Sequence, residues 1–136
     1  MTPILLDTCA LIWLARGDPL SGPARASLQE AVSSVGQIVV SPISAWEIGL
    51  LVSRGRLMLT LEPRDWFQRA LDAGVELAQM PPELLIASSF LPSQTLRDPA
   101  DRIIAATARS YRYRLMTRDR SLLAFGEEGH VETIAC

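Results

Sequence analysis

Residues 4–14 read ILLDTCALIWL, and the change of rhythm at Asp7 decides the fold. Ile4 to Leu6 is a short unbroken apolar run, as expected of a strand covered on both faces. Asp7 ends that run, and Thr8 to Ala15 reads as a helix closed by a GDP turn. The same unit recurs along the chain. Ile38 to Val40 is β-rich and leads through Ser41-Pro42 into a helix that stops near Gly55, while Leu115 to Thr117 leads through Asp119 into Arg120 to Phe125. Val75 to Ala78 and Val131 to Ile134 read as two further strands, and Pro23 to Ser33, Pro63 to Ala73, Pro82 to Leu91 and Pro99 to Arg109 as further helices. Short apolar strands alternating with helices predict an α/β chain, with helical layers on both faces of a mostly parallel sheet. No repeat, low-complexity segment or linker divides it, so residues 1–136 are expected to form one domain.

With 136 residues the chain can bury about two-thirds of its unfolded surface. Its hydrophobic content of 49% and mean hydropathy of +0.20 predict apolar surface left over for a partner chain. No segment approaches the roughly 20 apolar residues of a membrane span. MTPILLD lacks a basic start and reaches an aspartate at once, so no secretory leader is expected. Two cysteines make no disulfide framework, which fits a reducing cytoplasm. Cys9, within an apolar run, is expected to be a small buried hydrophobe. The net charge of −2 gives no overall nucleic-acid signal. All 13 basic residues are arginine, however, and seven of them fall between Arg97 and Arg120. Guanidinium forks suit phosphate, and Tyr111 and Tyr113 interleave as stacking surfaces, so Arg97, Arg102, Arg118 and Arg120 with the two tyrosines are candidate RNA contacts. A solvated helix face would have the same composition.

The chemistry rests on acids. In SPISAWEIGLL (41–51) the stripe Ile43, Trp46, Leu50 and Leu51 marks the packed side of a helix, and Glu47 lies inside it. Asp7 and Asp119 sit at or just beyond strand ends, where open α/β sheets collect ligands. Asp98 and Asp101 occupy the first turn of RDPADRIIAATA. Asp7, Asp98 and Asp119 fit equally well as N-caps, and Asp101 complements the helix dipole. No cap explains Glu47; it needs either an arginine such as Arg102 or a cation. Clustered carboxylates without lysine suit Mg²⁺ or Mn²⁺, which would activate a water, neutralise a phosphodiester oxygen and stabilise the leaving oxygen. Thr8, Ser44 and Thr117 are placed to orient those carboxylates from behind. His130, in GEEGHVE, is expected at the surface. A P-loop is excluded for want of GK[ST]. An aspartyl-phosphate enzyme is disfavoured because its site would ordinarily hold a lysine.

LLDTCALIWL, SAWEIGLL, RDPADRIIAATA and LMTRD, in that order and across nearly the whole chain, resemble PIN-domain proteins. More narrowly, they resemble the VapC toxin ribonucleases of bacterial toxin–antitoxin pairs. The resemblance implies a three-layer α/β/α PIN-like domain and metal-dependent endoribonuclease activity. It carries the family's acidic, catalytic and metal-binding positions onto Asp7, Glu47, Asp101 and Asp119, with Asp98 in support. It further implies an RNA substrate, a cognate VapB-like antitoxin, a homodimer and a cytoplasmic setting. Related toxins often carry histidine where this chain has Cys9 and Leu96. The alternative is a non-catalytic PIN-like module that binds RNA or a protein without cutting.

Overall fold

Five short strands lie side by side in the order β3-β2-β1-β4-β5, every neighbouring pair parallel. The structure is a computed structural model that describes residues 2–33 and 37–136. Along the chain run β1 (Ile4–Leu6), α1 (Thr8–Arg16), α2 (Gly22–Ala31), β2 (Ile38–Val40), α3 (Pro42–Ser53), α4 (Pro63–Asp72) and β3 (Glu76–Leu77). There follow α5 (Pro82–Ala87), a 3₁₀ turn (Ser88–Phe90), α6 (Pro99–Tyr111), β4 (Arg114–Thr117), α7 (Arg120–Glu127) and β5 (Thr133–Ala135). The chain therefore has the expected α/β/α architecture with a central parallel sheet.

The strand ILL is apolar throughout because both faces of the sheet are covered. Alternate side chains sort into two cores. Leu5, Val39 and Leu115 pack with Leu84, Leu96, Ile104, Leu122 and Phe125. Ile4, Leu6, Val40 and Met116 pack with Ala10, Leu11, Leu28 and Ile48 from α1, α2 and α3. Central β1 pairs Leu6 with Val40 on one side and Met116 on the other, so residues far apart in sequence end their strands level.

The boundaries differ from expectation mainly at the sheet edges. β3 pairs over only two residues, both exposed, and β5 begins two residues later than the apolar pattern suggests. Edge strands lack a second partner, so apolar content marks them poorly. The helix after Pro82 gives way to the 3₁₀ turn before Leu91, where Pro92 stops the chain from continuing. At the end of α6, Arg112 adopts a left-handed backbone (φ 57) and its N–H caps onto Ala108 O, a position usually held by glycine.

Candidate active site

Three of the five acids are helix caps as well as candidate ligands. Asp7 leaves the carboxyl end of β1 and accepts the Ala10 N–H at 2.8 Å on Oδ1. Its other oxygen accepts the Thr117 hydroxyl at 2.5 Å, and the same hydroxyl oxygen accepts the Asp119 N–H at 3.0 Å. Thr117 ends β4, so one buried threonine ties the ends of two neighbouring strands. Asp119 caps α7 through Leu122 N–H, and Asp98 caps α6 through Asp101 N–H. The cap and site readings are thus compatible, because each hydrogen bond occupies one lone pair of a carboxylate and leaves others for a cation.

Glu47 and Asp101 cap nothing. The Thr8 hydroxyl hydrogen-bonds the Glu47 carboxylate and also the Ser44 hydroxyl, at 2.9 Å from the latter. Ser44 and Ile48 are the buried residues of α3, and Glu47 stands beside them at the rim. The stripe expected from SPISAWEIGLL is therefore rotated: Trp46 is exposed, and the inward face runs through Ser44, Ile48 and Leu51. Two small hydroxyl residues make the room that the glutamate occupies. The Asp101 carboxylate makes no hydrogen bond or ion pair among the described residues.

Electrostatics shows that these groups converge. Burial raises the Asp7 carboxyl above its ordinary 3.8, opposed by Thr117 and the Ala10 N–H, while Asp119 raises it further. Burial also raises Glu47, opposed by Thr8 and reinforced by Asp98 and Asp7. Asp101 is pushed up to about 7, first by burial and then by Asp119, Asp98, Glu47 and Asp7. Cys9 is a correction to the sequence reading: it is exposed, not a buried hydrophobe. Its surface reaches solvent, yet its crowded surroundings and the fields of Asp7, Glu47, Asp101 and Asp119 lift its thiol to about 11. All four acids thus lie within electrostatic reach of one thiol.

No arginine among the described residues forms an ion pair in this acidic crevice, and Arg118 only lowers Asp7 weakly from a distance. The ion pairs among the described residues are Arg16–Asp18 at 3.7 Å and His130–Glu128 at 3.2 Å, neither involving these acids. Arg102, the expected alternative partner of Glu47, turns away. Its guanidinium donates to the carbonyls of Ser88 (2.8 Å), Ser93 (3.4 Å) and Leu96, fixing the loop before α6. Arg102→Met, which keeps the stem but removes the donors, is expected to cost roughly 2–4 kcal/mol in urea unfolding. An unchanged midpoint would show that the loop holds itself.

The other candidates divide by position. Arg97 and Arg120 are exposed at the acid end, and Arg118 lies over the Trp13 ring at 3.8 Å while donating to Cys136 O at 2.9 Å. Tyr111 and Tyr113 are not brought to the acids. They sit at the far end of α6 and the start of β4, where Tyr111 bonds Gln79 O at 3.3 Å, about 15 Å along the helix from Asp101. His130 is partly buried against Phe125 and pairs with Glu128, well away from the crevice. Leu96 belongs to the core.

The donor set consists of hard oxygens and suits Mg²⁺ or Mn²⁺ rather than a soft metal. As placed, no three His, Cys, Asp or Glu side chains among the described residues come close enough to cage one ion. Mg²⁺ requires no such cage, since it typically takes one or two carboxylates directly and keeps several waters.

The raised carboxyls predict an inverted pH dependence. A carboxyl whose folded pKa lies above its unfolded value stabilises the fold fully below the unfolded value and loses that contribution as pH rises through the folded one. For Asp101 the window runs from the ordinary 3.8 to about 7, with Asp7 and Glu47 acting in the same direction. In EDTA the melting temperature should therefore fall across that window. The loss is about 1–2 kcal/mol after allowing for solvent screening of the half-open Asp101, and Asp101→Asn should flatten the slope. A melting temperature that rises with pH there would contradict the shared crevice.

Comparison with known proteins agrees with this geometry. The family model described as PIN domain matches residues 4–128. The chain belongs to the PIN-domain family. Among curated relatives of this PIN domain, Ribonuclease VapC22 of Mycobacterium tuberculosis is 32% identical over 124 residues, spanning 90% of this chain and 91% of the relative. That match makes the chain a VapC-type member. Two solved structures share its fold. DNA-bound VapBC from Salmonella typhimurium superposes with TM-score 0.67 at 17% identity, covering 99% of this chain and 98% of that one. VapBC2 from Rickettsia felis, bound to a DNA fragment from its promoter, superposes with TM-score 0.66 at 16% identity, covering 97% and 98%.

Proposed function

We propose that this PIN domain is a Mg²⁺- or Mn²⁺-dependent endoribonuclease, the toxin of a type II toxin–antitoxin pair. The observation that carries this reading is a crevice of carboxylates, from four separate parts of the chain, with which no side chain among the described residues forms an ion pair. Such a cluster is costly unless a cation completes it. The 32% identity to a named ribonuclease supports the same chemistry. When bound, the cation supplies activation of a water for attack on the phosphodiester and neutralises charge on its oxygens.

The chain's own residues position that chemistry. Asp7 is fixed by Ala10 N–H and Thr117, so its oxygens cannot rotate freely. Thr8, held against Ser44, aims Glu47 into the crevice. Asp101 and Asp119 close it from the starts of α6 and α7. Exposed Arg118 and Arg120, just after β4, are suited to the phosphates of a single strand. Exposed Trp46, Leu85 and Ile86 offer apolar surface for protein partners, namely a cognate VapB-like antitoxin and a second copy of the chain. No helix among the described residues is long and apolar enough to cross a membrane, and we place the protein in the cytoplasm.

The test is to incubate partner-free protein with a random single-stranded RNA pool and Mn²⁺. Cleavage that EDTA stops is expected, with RNA affinity falling steeply as salt rises. The lack of a three-ligand cage favours one other reading, a PIN-like module that binds without cutting. RNA bound yet uncut under all metal conditions would establish that reading instead, and a flat salt response would remove the arginines from the strand path.

A further inference from the structure

We propose that a second cavity beside the acids is a subsite for an extruded purine of the RNA strand, so that it sets sequence preference. This deepens the ribonuclease reading and rests on it. The cavity, of about 700 Å³, is lined by Ser89, Phe90, Leu91, Gln94, Leu96, Arg97 and Arg102. It lies at the start of α6, since two of its lining residues, Arg97 and Arg102, are the chain neighbours of Asp98 and Asp101. In the proposed arrangement, a strand whose phosphate reaches the acids lays an adjoining nucleotide at its mouth.

Three features point to a base. Phe90 is 80% exposed at the end of the 3₁₀ turn, an unusual place for a phenyl ring that the described residues leave uncovered. An aromatic face beside a cationic groove is the common platform for an unstacked base. Next to it, the Arg97 guanidinium has no ion-pair partner among the described residues, and Gln94 is exposed with a free amide. A guanidinium fork and an amide match the N7 and exocyclic edge of a purine, guanine through the fork and adenine through the amide. Finally, the wall is rigid. Arg102 holds the carbonyls of Ser88, Ser93 and Leu96, so the loop bearing Phe90 and Gln94 is fixed before RNA arrives.

The test uses two readouts. First, wild type, Phe90→Ala and Gln94→Ala are given the random RNA pool with Mn²⁺, and the cut ends are sequenced. Wild type should show a purine preference at one position flanking the cut. Phe90→Ala should raise KM about tenfold with kcat little changed and flatten that preference. Second, binding of a fluorescent single-stranded oligonucleotide is measured for Asp7→Asn and for the Asp7→Asn, Phe90→Ala double variant, where the second change should weaken binding about tenfold. A binding loss without any cutting by wild type would keep the subsite and discard the nuclease. Cutting with unchanged KM and unchanged preference in Phe90→Ala would discard the subsite and keep the nuclease. A pyrimidine preference, or a Phe90→Ala protein that differs only in changing from dimer to monomer, would also overturn the proposal.

Discussion

Asp7→Asn is expected to abolish RNA cleavage, by on the order of 10³-fold or more, while the variant still folds and still binds the antitoxin proposed for it. The magnitude follows from removing a charged group that the proposed cation would need, which is worth several kcal/mol at the transition state. The fold survives for a structural reason. Asparagine keeps the Oδ1 that accepts the Ala10 N–H, so α1 stays capped. On the other side, the Thr117 oxygen already accepts the Asp119 N–H and has a second lone pair. The Thr117 hydroxyl can therefore turn and accept from the new amide instead of donating to the old carboxylate. Cleavage is to be measured on the RNA pool, folding by melting, and antitoxin binding by co-purification. Cleavage at wild-type rate would remove Asp7 from the chemistry and leave it a helix cap.

The second large effect concerns Glu47 and separates two signs in one experiment. Mn²⁺ in hundredfold excess over its dissociation constant should stabilise the wild type by about 2.7 kcal/mol. For a chain of this size that is a rise in melting temperature of about 10 °C. Glu47→Gln should lose most of that response. Without metal, the variant should melt at or above the wild type, because burial already opposes the Glu47 charge and glutamine retains an oxygen for the Thr8 hydroxyl. A purely structural glutamate would behave differently, with substitution lowering stability whether or not metal is present. An unresponsive wild type at millimolar Mn²⁺ would point to the binding module.

The central sheet was readable because β1, β2 and β4 are buried on both faces, and such strands must be apolar throughout. The acids were visible for a related reason: Asp7 and Glu47 interrupt apolar runs, and a charge there needs an explanation. What the residues could not reveal was orientation. Helical periodicity placed Trp46 inside, but Ser44 is the residue that packs, since small hydroxyls let α3 approach β1 and α1 closely. Cys9 looks apolar by company, yet α1 turns that one position toward the crevice. The arginine run seemed a single track, but α6 carries its members to opposite ends of the molecule. Arg102 meanwhile is engaged by carbonyls, which no side-chain pattern announces. The subsite around Phe90 escaped notice because an exposed phenylalanine is distinguishable from a packed one only in three dimensions.

The pairing of β1 with β4 has a consequence for timing. Asp7 is made well before its partners: the Thr117 hydroxyl that steadies it lies 110 residues later, and Asp119 later still. Contacts of such long sequence separation form late and slowly. A nascent chain on the ribosome, surrounded by RNA, therefore carries only scattered acids, and the crevice assembles once β4 has emerged and inserted beside β1. The topology thus makes the crevice a late product of folding, completed only after α6 and β4 are available to β1.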